Sequence, residues 1–314
     1  MKVLQLGEFG LIDHLTKHLS KGKAVVGIGD DAAVLKMTND KCQMSNKGKY
    51  LLITTDALVE NVHFTIKNTS FVDLGYKALA ANVSDIAAMG GTPTAAVITL
   101  ALPAGLAVEK LDAFYRGLNR LAKKLKIDLV GGDTVASPKA LMISITLLGE
   151  VSPKNLLLRS TAKVGDLICV TGTFGLPAAR HYSASVLPPI RLKEAAALAA
   201  QRLASAMIDS SDGLVRSVVE LAKASQVGAR LWEERIPIAP GATLDQALYG
   251  GEEYELVFTV PKNKVRDLAG KRKLKKIDQI SIVGEIVPLG EQVKLIDNRG
   301  KIKEPKTKGF EHFQ

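Results

Sequence analysis

Apolar residues follow two different patterns along the first half of the chain. Short, nearly continuous apolar runs are typical of buried strands, whereas apolar residues at every third or fourth position indicate amphipathic helices. The clearest helix covers residues 71–89, because the pair Gly90-Gly91 directly after it is a good stop signal. A second helix is predicted over residues 108–125, with strands over 50–55 (ending at Asp56), 94–102, 128–130 and 141–151, and the loop GGDTVASPK between the last two. This order predicts an α/β sandwich built from β-α-β-β-α-β pieces.

The pattern changes after residue 150. Residues 152–163 contain Pro153 and a basic patch at Arg159, and they predict a segment that crosses into a second domain. A chain of 314 residues is long enough for two domains, so we expect an N-terminal domain over 1–150 and a C-terminal domain over 151–314. In the second domain we predict helices near 191–203 and 214–225, strands near 167–171, 229–236, 255–260 and 280–287, and a β-hairpin over 293–303 around Asn298-Arg299-Gly300.

The composition indicates the cellular setting. Hydrophobic residues make up 46% of the chain and charged residues 24%, which is ordinary for a soluble globular protein. Apolar runs such as 95–102 and 141–148 are far shorter than the roughly 20 residues that cross a bilayer. The start MKVLQLGEFG lacks the apolar core and cleavage site of a signal peptide. We therefore expect a cytoplasmic protein in which Cys42 and Cys169 are free thiols.

The net charge of +10 has two interpretations. The basic run over residues 262–276 resembles a nucleic-acid patch, but it lacks interleaved aromatic residues and is also typical of a solvated helix with its connector. A basic protein also attracts small phosphorylated molecules, and that alternative agrees better with the acidic residues described next.

Seven aspartates lie beside Gly, Ser or Thr, each at a predicted turn or element end. A single aspartate in such a place is usually a helix cap or an Asx turn. Five separated segments of this type are harder to explain in that way, because Mg²⁺ prefers carboxylate and hydroxyl oxygens and bridges to phosphates. The sequence therefore predicts a metal–phosphate site whose candidates are Asp30, Asp31, Asp56, Asp85, Asp133, Asp209 and Asp212.

Motifs for other chemistries are missing from the sequence. It contains no P-loop, no complete GxGxxG and no protein-kinase signature. Ser210-Ser211 lack the GxSxG surroundings of a nucleophilic serine. A phosphate site would then depend on metal ions and on backbone amides of the predicted turns at Gly131-Gly132 and Gly250-Gly251.

The histidines give little independent information. His14 and His18 are four residues apart on a predicted N-terminal helix, and we interpret this face as solvated. His63 follows a predicted strand in a loop, where a structural and a functional role are both open.

Nine motifs are spread nearly from end to end: GEFGLI, GIGDDAAVL, TTDALVENVHF, GYKALAANVSDIAAMGG, LVGGDT, RSTAKVGDLICVTG, IDSSDGL, GGEEYELVFTVP and KGFEHF. Together they resemble the thiamine-monophosphate kinases, within the superfamily that includes aminoimidazole ribonucleotide synthetase. The resemblance implies that superfamily's two-domain α/β fold, and transfer of the γ-phosphoryl group of ATP to thiamine monophosphate in thiamine diphosphate biosynthesis. It also implies several Mg²⁺ ions and a homodimer whose N-terminal sheets join, and it leaves a monovalent cation open. The N-terminal domain would bind ATP and Mg²⁺, and the C-terminal domain would complete the active site.

The same resemblance implies roles for individual residues. The implied metal ligands are Asp31, Thr54, Thr55, Asp56, Asp85, Asp133, Asp209 and Asp212, of which Asp31, Asp56 and Asp212 are the catalytic candidates. The implied ATP contacts are Tyr115, Gly132, Asp133, Arg159 and Ser211. The implied contacts with thiamine monophosphate are His63 and Glu252, with Asp30 as a neighbour of the site.

Two departures from the family pattern change local expectations. After VTGTFG the chain reaches its proline–arginine segment quickly, so we expect a shortened helix and an altered rim after Gly175. The family often has a tryptophan at the position of Thr307, which cannot stack on a substrate. We therefore expect Phe310 or another aromatic residue to compensate.

Other functions remain as alternatives. A selenophosphate synthetase would have a reactive cysteine or selenocysteine in its N-terminal Gly-rich segment, and this sequence has no cysteine before Cys42. A hydrogenase-maturation relative would have a C-terminal cysteine, whereas this sequence ends in EHFQ. An aminoimidazole ribonucleotide synthetase would have a GTDGVGTK-like segment in place of TTDALVENVHF. A non-catalytic protein that binds nucleotides or RNA is a fourth alternative, which the many acidic candidates disfavour because they repel a phosphate backbone.

Overall fold

The computed structural model describes residues 3–17, 19, 24–37, 48–67, 69–183, 186–269, 279–307 and 309–312. The elements of the N-terminal half are α1 (Val3–Thr16), β1 (Ala33–Lys36), β2 (Tyr50–Val59), α2 (Phe71–Ala88), β3 (Thr92–Pro103), α3 (Val108–Leu125), β4 (Asp128–Ser137) and β5 (Met142–Val151). Those of the C-terminal half are β6 (Leu167–Thr171), α4 (Leu176–Ala179), α5 (Leu192–Ala200), β7 (Ala206–Asp209), α6 (Leu214–Ser225), β8 (Gly228–Trp232), α7 (Leu244–Tyr249), β9 (Leu256–Val260), α8 (Val265–Ala269), β10 (Ile280–Val287), β11 (Val293–Ile296) and β12 (Ile302–Lys303).

The N-terminal half forms a five-stranded sheet in the order β1-β2-β5-β3-β4. Only the pair β3–β4 is parallel among these strands. Buried residues alternate along β5 at Ile143, Ile145 and Leu147, which is the pattern of a strand with one covered face. Helices α2 and α3 cover that face and pack on each other, so the core lies between the helices and the sheet.

The opposite face of this sheet is uncovered in the described chain. Val97, Val130, Val135 and Met142 are 39–62% exposed, although they lie within strands. Exposed apolar patches of this kind are more common on interaction surfaces than on the rest of a protein surface.

Two strands run further than the sequence predicts. The predicted strand ending at Asp56 continues to Val59, because Thr54, Asp56 and Leu58 keep the period-two alternation on the covered face. Strand β4 likewise includes most of the segment interpreted as the loop GGDTVASPK, because it pairs with β3 from Ala95↔Asp128 to Pro103↔Ser137, with one register shift after Ala96. The predictions that Asp56 and Asp133 lie at turns or element ends, and that Gly131-Gly132 form a turn, are therefore wrong.

The C-terminal half forms a seven-stranded sheet in the order β12-β11-β8-β10-β6-β9-β7. The strand β7 was missed in the sequence because its four residues are all buried and show no alternation. It pairs with β9 at the edge of this sheet and also contacts α2 of the N-terminal half. Asp209, the last residue of β7, is thereby brought to the helix that carries Asp85.

Several local predictions are confirmed. The helices over 108–125 and 214–225 and the strands over 167–171 and 280–287 have the predicted bounds, and β11 and β12 form the predicted hairpin. Helix α4 has four residues, in agreement with the expected short helix after Gly175. The helix predicted near 191–203 is shorter, since α5 covers Leu192–Ala200.

Other predictions concern the cysteines, His18, the basic run over residues 262–276 and membrane spans. Cys169 is a free, buried cysteine, while Cys42, His18 and the basic residues of 271–276 lie outside the described residues. Among the described residues, no helix is long and apolar enough to span a membrane.

Candidate active site

Three carboxylates converge where the two halves of the chain meet. One carboxylate oxygen from each of Asp31, Asp85 and Asp209 lies within 4.8 Å of the others. Asp31 belongs to the segment before β1, Asp85 to the last turn of α2, and Asp209 to the end of β7. Asp85 therefore lies near the end of the helix predicted over residues 71–89.

Polar side chains from both halves surround this cluster. The hydroxyl groups of Thr54 and Ser84 donate hydrogen bonds to Asp85 and Asp209, respectively. The Arg159 guanidinium contacts the Asp31 carboxylate, with Nη2 to Oδ1 at 2.6 Å. The second oxygen of Asp31, Oδ2, is buried without a hydrogen-bond partner. A buried, unpaired anionic oxygen is costly, and a bound cation would satisfy it.

The charged forms of these acids are strongly disfavoured. Burial raises the pKa of Asp85 well above its usual range, and the charges of Asp56, Asp209 and Asp31 raise this pKa further. Burial also raises the pKa of Asp209 well above its usual range, followed by the charge of Asp31. For Asp56, burial raises the pKa to about 6. Hard oxygen donors that repel one another in a buried site fit a divalent cation such as Mg²⁺, which removes the repulsion.

The neighbouring aspartates Asp30 and Asp31 have different environments. The Asp30 carboxylate accepts hydrogen bonds from the backbone N–H of Arg159, at 3.2 and 3.3 Å, and from that of Asp31. Burial, followed by the charge of Asp31, raises the pKa of Asp30 to about 6. Asp30 thus fixes the segment around Arg159, while Asp31 faces Asp85 and Asp209.

A cavity of about 460 Å³ adjoins the cluster at Asp56, one of its lining residues. Burial, followed by the charge of Glu8, raises the pKa of the lining residue Asp212 to about 6. The predicted site residues that line this cavity are Thr55, Asp56, His63, Ser211, Asp212, Glu252 and Phe310. The structure therefore places predicted metal ligands and predicted substrate contacts around one space.

His63 is held in a single protonation state in this cavity. Its Nδ1 accepts a hydrogen bond from the backbone N–H of Val59 at 3.0 Å. Burial, with smaller effects from the charges of His312 and Lys77, lowers the pKa of His63 to about 4. The imidazole is therefore neutral near pH 7, with its proton on Nε2, and it can donate one hydrogen bond.

Of the predicted ATP contacts, Ser211 lines this cavity and Arg159 lies at the carboxylate cluster and lines a different cavity, whereas the other three are brought to neither place. Gly132 and Asp133 lie on β4, which two strands separate from β2, so about 14 Å separates β4 from the strand of Asp56. Tyr115 lies on α3, is 41% exposed, and packs edge-on against Phe114. A Cβ at Gly132 would lie 1.9 Å from the Ile98 carbonyl oxygen, so close strand packing requires this glycine.

The structure also adds residues that the sequence did not single out. Glu8 and His312, from opposite ends of the chain, line the cavity, and the Glu8 carboxylate accepts from the His312 backbone N–H at 2.9 Å. The His312 ring lies edge-on to His63 and to Phe310, at 5.3 and 5.0 Å between centroids. Lys77 lies behind the cavity and contacts Glu252. No pattern of apolar residues indicated these long-range contacts, although all three residues lie within the quoted motifs.

Comparisons with known proteins show the family to which the chain belongs. The AIR synthase related protein family matches the chain in two parts, its N-terminal domain over residues 29–151 and its C-terminal domain over 163–296. Thiamine-monophosphate kinase of Buchnera aphidicola subsp. Schizaphis graminum is 36% identical, over 99% of this chain and 100% of its own. The Bacillus subtilis thiamine-monophosphate kinase is also 36% identical, over 81% of this chain and 84% of its own.

The solved structures give the same result. One described as "AaThiL complexed with AMPPCP and TMP" has a TM-score of 0.81 and 32% identity, covering 99% of each chain. The hydrogenase maturation protein HypE of E. coli has a TM-score of 0.72 at 21% identity, covering 97% of this chain and 99% of its own, and so shares the fold alone. The chain therefore belongs to the AIR synthase related proteins and, among them, to the thiamine-monophosphate kinase family.

Proposed function

We propose that this chain transfers the γ-phosphoryl group of ATP to thiamine monophosphate, giving thiamine diphosphate and ADP. The observation that carries the proposal is the buried cluster of Asp31, Asp85 and Asp209 beside a cavity lined by His63 and Glu252. A relative with 32% identity that is described with both AMPPCP and TMP supports this choice of substrates.

The acidic residues would hold Mg²⁺. Asp31, Asp85 and Asp209 offer carboxylate oxygens that already lie together, and Asp56 adds a fourth carboxylate at the cavity wall. Bound Mg²⁺ would supply neutralisation of the phosphate charge that develops during transfer. The wider ligand set in this proposal is Thr54, Thr55, Asp133 and Asp212, with Asp31, Asp56 and Asp212 as the catalytic carboxylates.

Basic and hydroxyl groups would bind the nucleotide. The Arg159 guanidinium is held by Asp31 through Nη2, whereas its Nε is buried without a partner. A phosphate oxygen that accepts from this guanidinium would satisfy the unpaired donor. We propose that Ser211, on the cavity wall, donates to the same phosphate chain.

The acceptor phosphate does not need a strong general base. Its oxygens are already anionic near neutral pH, so the protein has to align the two phosphate groups and stabilise charge. His63 agrees with this requirement, because its Nδ1 is occupied and its neutral imidazole is a hydrogen-bond donor. We propose direct in-line attack, with His63, Glu252 and Phe310 orienting the thiamine monophosphate.

The proposal includes a homodimer, because the predicted contacts Gly132, Asp133 and Tyr115 lie away from the cavity of their own chain. Asp133 pairs in register with Thr99, whose side chain lies on the uncovered face of the N-terminal sheet. A second copy packed on this apolar face would cover it, and would bring its own β4 towards the first copy's site. We propose that Gly132 and Asp133 act across such an interface, with Tyr115 at its edge. Cytoplasmic location and a monovalent cation stay predictions.

Release of ADP tests the function directly. The purified chain should release ADP from ATP only when thiamine monophosphate and Mg²⁺ are both present, and EDTA should abolish the release. ADP release that is independent of thiamine monophosphate would contradict the proposed acceptor. Activity that persists in EDTA would contradict the metal-dependent site.

A further inference from the structure

Lys77 is a buried cation outside the residues to which a role has been given. It lies inside α2, and its side chain is only 2% exposed. Burial of an ammonium group is costly unless it is paired with good geometry. The partner is Glu252, whose carboxylate oxygens lie 2.6 and 2.7 Å from the Lys77 Nζ.

The ion pair joins the two halves of the molecule. Lys77 belongs to the N-terminal helix layer, whereas Glu252 lies in the segment between α7 and β9. That segment has an unusual backbone, since Gly251 and Glu252 have φ angles of +80° and +60°. Few non-glycine residues adopt this left-handed conformation, so Glu252 depends on its surroundings to stay in place. Its backbone N–H donates to the Ser211 carbonyl, and Lys77 fixes the side chain.

Lys77 approaches both predicted substrate contacts from behind the cavity. Its Nζ lies 3.5 Å from the carbonyl oxygen of His63 as well as within hydrogen-bond distance of Glu252. His63 and Glu252 line the cavity, and Lys77 does not. The short contacts of this buried ammonium group are those with the Glu252 carboxylate, and it is this acceptor whose position Lys77 sets.

The pairing also determines what Glu252 can recognise. Lys77 compensates the negative charge of Glu252, so this carboxylate is not a free counter-ion for a thiazolium cation. Each of its oxygens still has a lone pair that Lys77 does not use, and these can accept from a neutral N–H donor. We propose that Lys77 is a positioning residue that holds Glu252 as the acceptor for the amino group of the aminopyrimidine ring. This inference rests on the proposed function and adds the part of the substrate that Glu252 recognises.

Kinetics on four variants test this role. The set is Lys77→Met, Lys77→Arg, Glu252→Ala and the double variant Lys77→Met/Glu252→Ala, assayed with thiamine monophosphate and with its 4′-deamino analogue. We expect Lys77→Met to raise the KM for thiamine monophosphate about tenfold or more, as for a lost charge-assisted hydrogen bond, with kcat within about threefold. We also expect it to lose the preference for the amino-bearing substrate, while Lys77→Arg retains most of it.

Two features of the design separate positioning from general stability. In the Glu252→Ala background, Lys77→Met should cause no further rise in KM, because its target is already absent. Arg191→Met is the matched control, since Arg191 also forms an ion pair with little solvent exposure, with Glu255 at 2.6 Å, away from the cavity lining. This control should lower the melting temperature and leave both KM and the analogue preference unchanged.

The possible outcomes are distinct. Additive KM effects in the double variant, or an analogue preference that survives Lys77→Met, would overturn the positioning role. If Lys77→Met does not fold, the double variant, which leaves no buried charge unpaired, is compared with Glu252→Ala. A higher KM for the double variant than for Glu252→Ala would then overturn the positioning role. A wild-type chain without substrate-dependent ADP release would instead overturn the proposed function, and with it this role.

Discussion

Arg159 binds one oxygen of Asp31 at 2.6 Å and leaves the other buried oxygen without a partner. The ion pair therefore orients the Asp31 carboxylate but gives its second oxygen no partner. Asp85 and Asp209 each present a carboxylate oxygen within 4.8 Å of an Asp31 oxygen, so the negative charge gathered here exceeds the single positive charge of Arg159. This asymmetry is expected of a metal ligand and not of a purely structural ion pair.

Mg²⁺ should stabilise the folded chain in the absence of any nucleotide. A cation that binds only the native cluster adds about 2.7 kcal/mol at a concentration one hundred times its Kd, so the melting temperature should rise with Mg²⁺. Asp31→Asn still accepts from Arg159 but loses an anionic ligand, and should show little of this rise. The exposed Asp112→Asn is the control and should respond as the wild type does. An equal response of Asp31→Asn would contradict the metal site.

Turnover should depend on two further carboxylates. Asp56→Asn and Asp212→Asn should each lower kcat by orders of magnitude, because each removes a charge from the wall where phosphate groups would be aligned. Both variants should stay folded, since an amide replaces a carboxyl group of the same shape. Circular dichroism and thermal melting check the fold, and near-normal turnover in both variants would contradict their catalytic role.

Metal-free stability should depend on pH through Asp56. Its pKa is raised from 3.8 to about 6 in the folded chain, so between these values the folded state binds more protons than the unfolded state. The contribution of Asp56 to the free energy of unfolding therefore falls as the pH rises, by on the order of 1 kcal/mol between pH 5 and 7.5. In EDTA, Asp56→Asn should gain in melting temperature relative to the wild type as the pH rises. A constant difference across this range would show that Asp56 titrates normally.

The sequence predicted those parts of the fold that regular patterns encode. Helix α3 has one apolar face and a clear end, and its bounds agree with prediction. The strand β7 could not be found, because four buried residues carry no periodicity, and β4 was misread because its Gly-rich segment resembles a turn. The aspartates beside Gly, Ser or Thr indicated a shared metal site but not which of them converge, since Asp31, Asp85 and Asp209 are far apart along the chain and no local rule brings them together.

His63 should bind substrate through Nε2 and not act as a base. Asn can accept from the Val59 N–H in place of Nδ1 but offers no donor at the position of Nε2, whereas Gln can place an amide donor nearer to that position. We expect His63→Asn to raise the KM for thiamine monophosphate about tenfold, and His63→Gln to raise it less. The pH profile of kcat/KM should keep its shape in His63→Gln. Loss of a pH-dependent limb in that variant would indicate that His63 exchanges a proton during the reaction.

Asp133 should act on the site of a second copy. In one chain it lies about 14 Å across the sheet from the strand of Asp56, and its side chain lies on the uncovered face. Asp56→Asn and Asp133→Asn should each be inactive alone. After mixing, unfolding and refolding together, some dimers should combine both defects in one site and leave the other site intact. Activity should therefore return to about one quarter of the wild-type value for random pairing of equal amounts. A mixture of Asp56→Asn with Asp212→Asn, both of which line the cavity of their own chain, provides the control and should remain inactive. If the first mixture stays inactive while sedimentation shows mixed dimers, Asp133 does not complete the site across the interface.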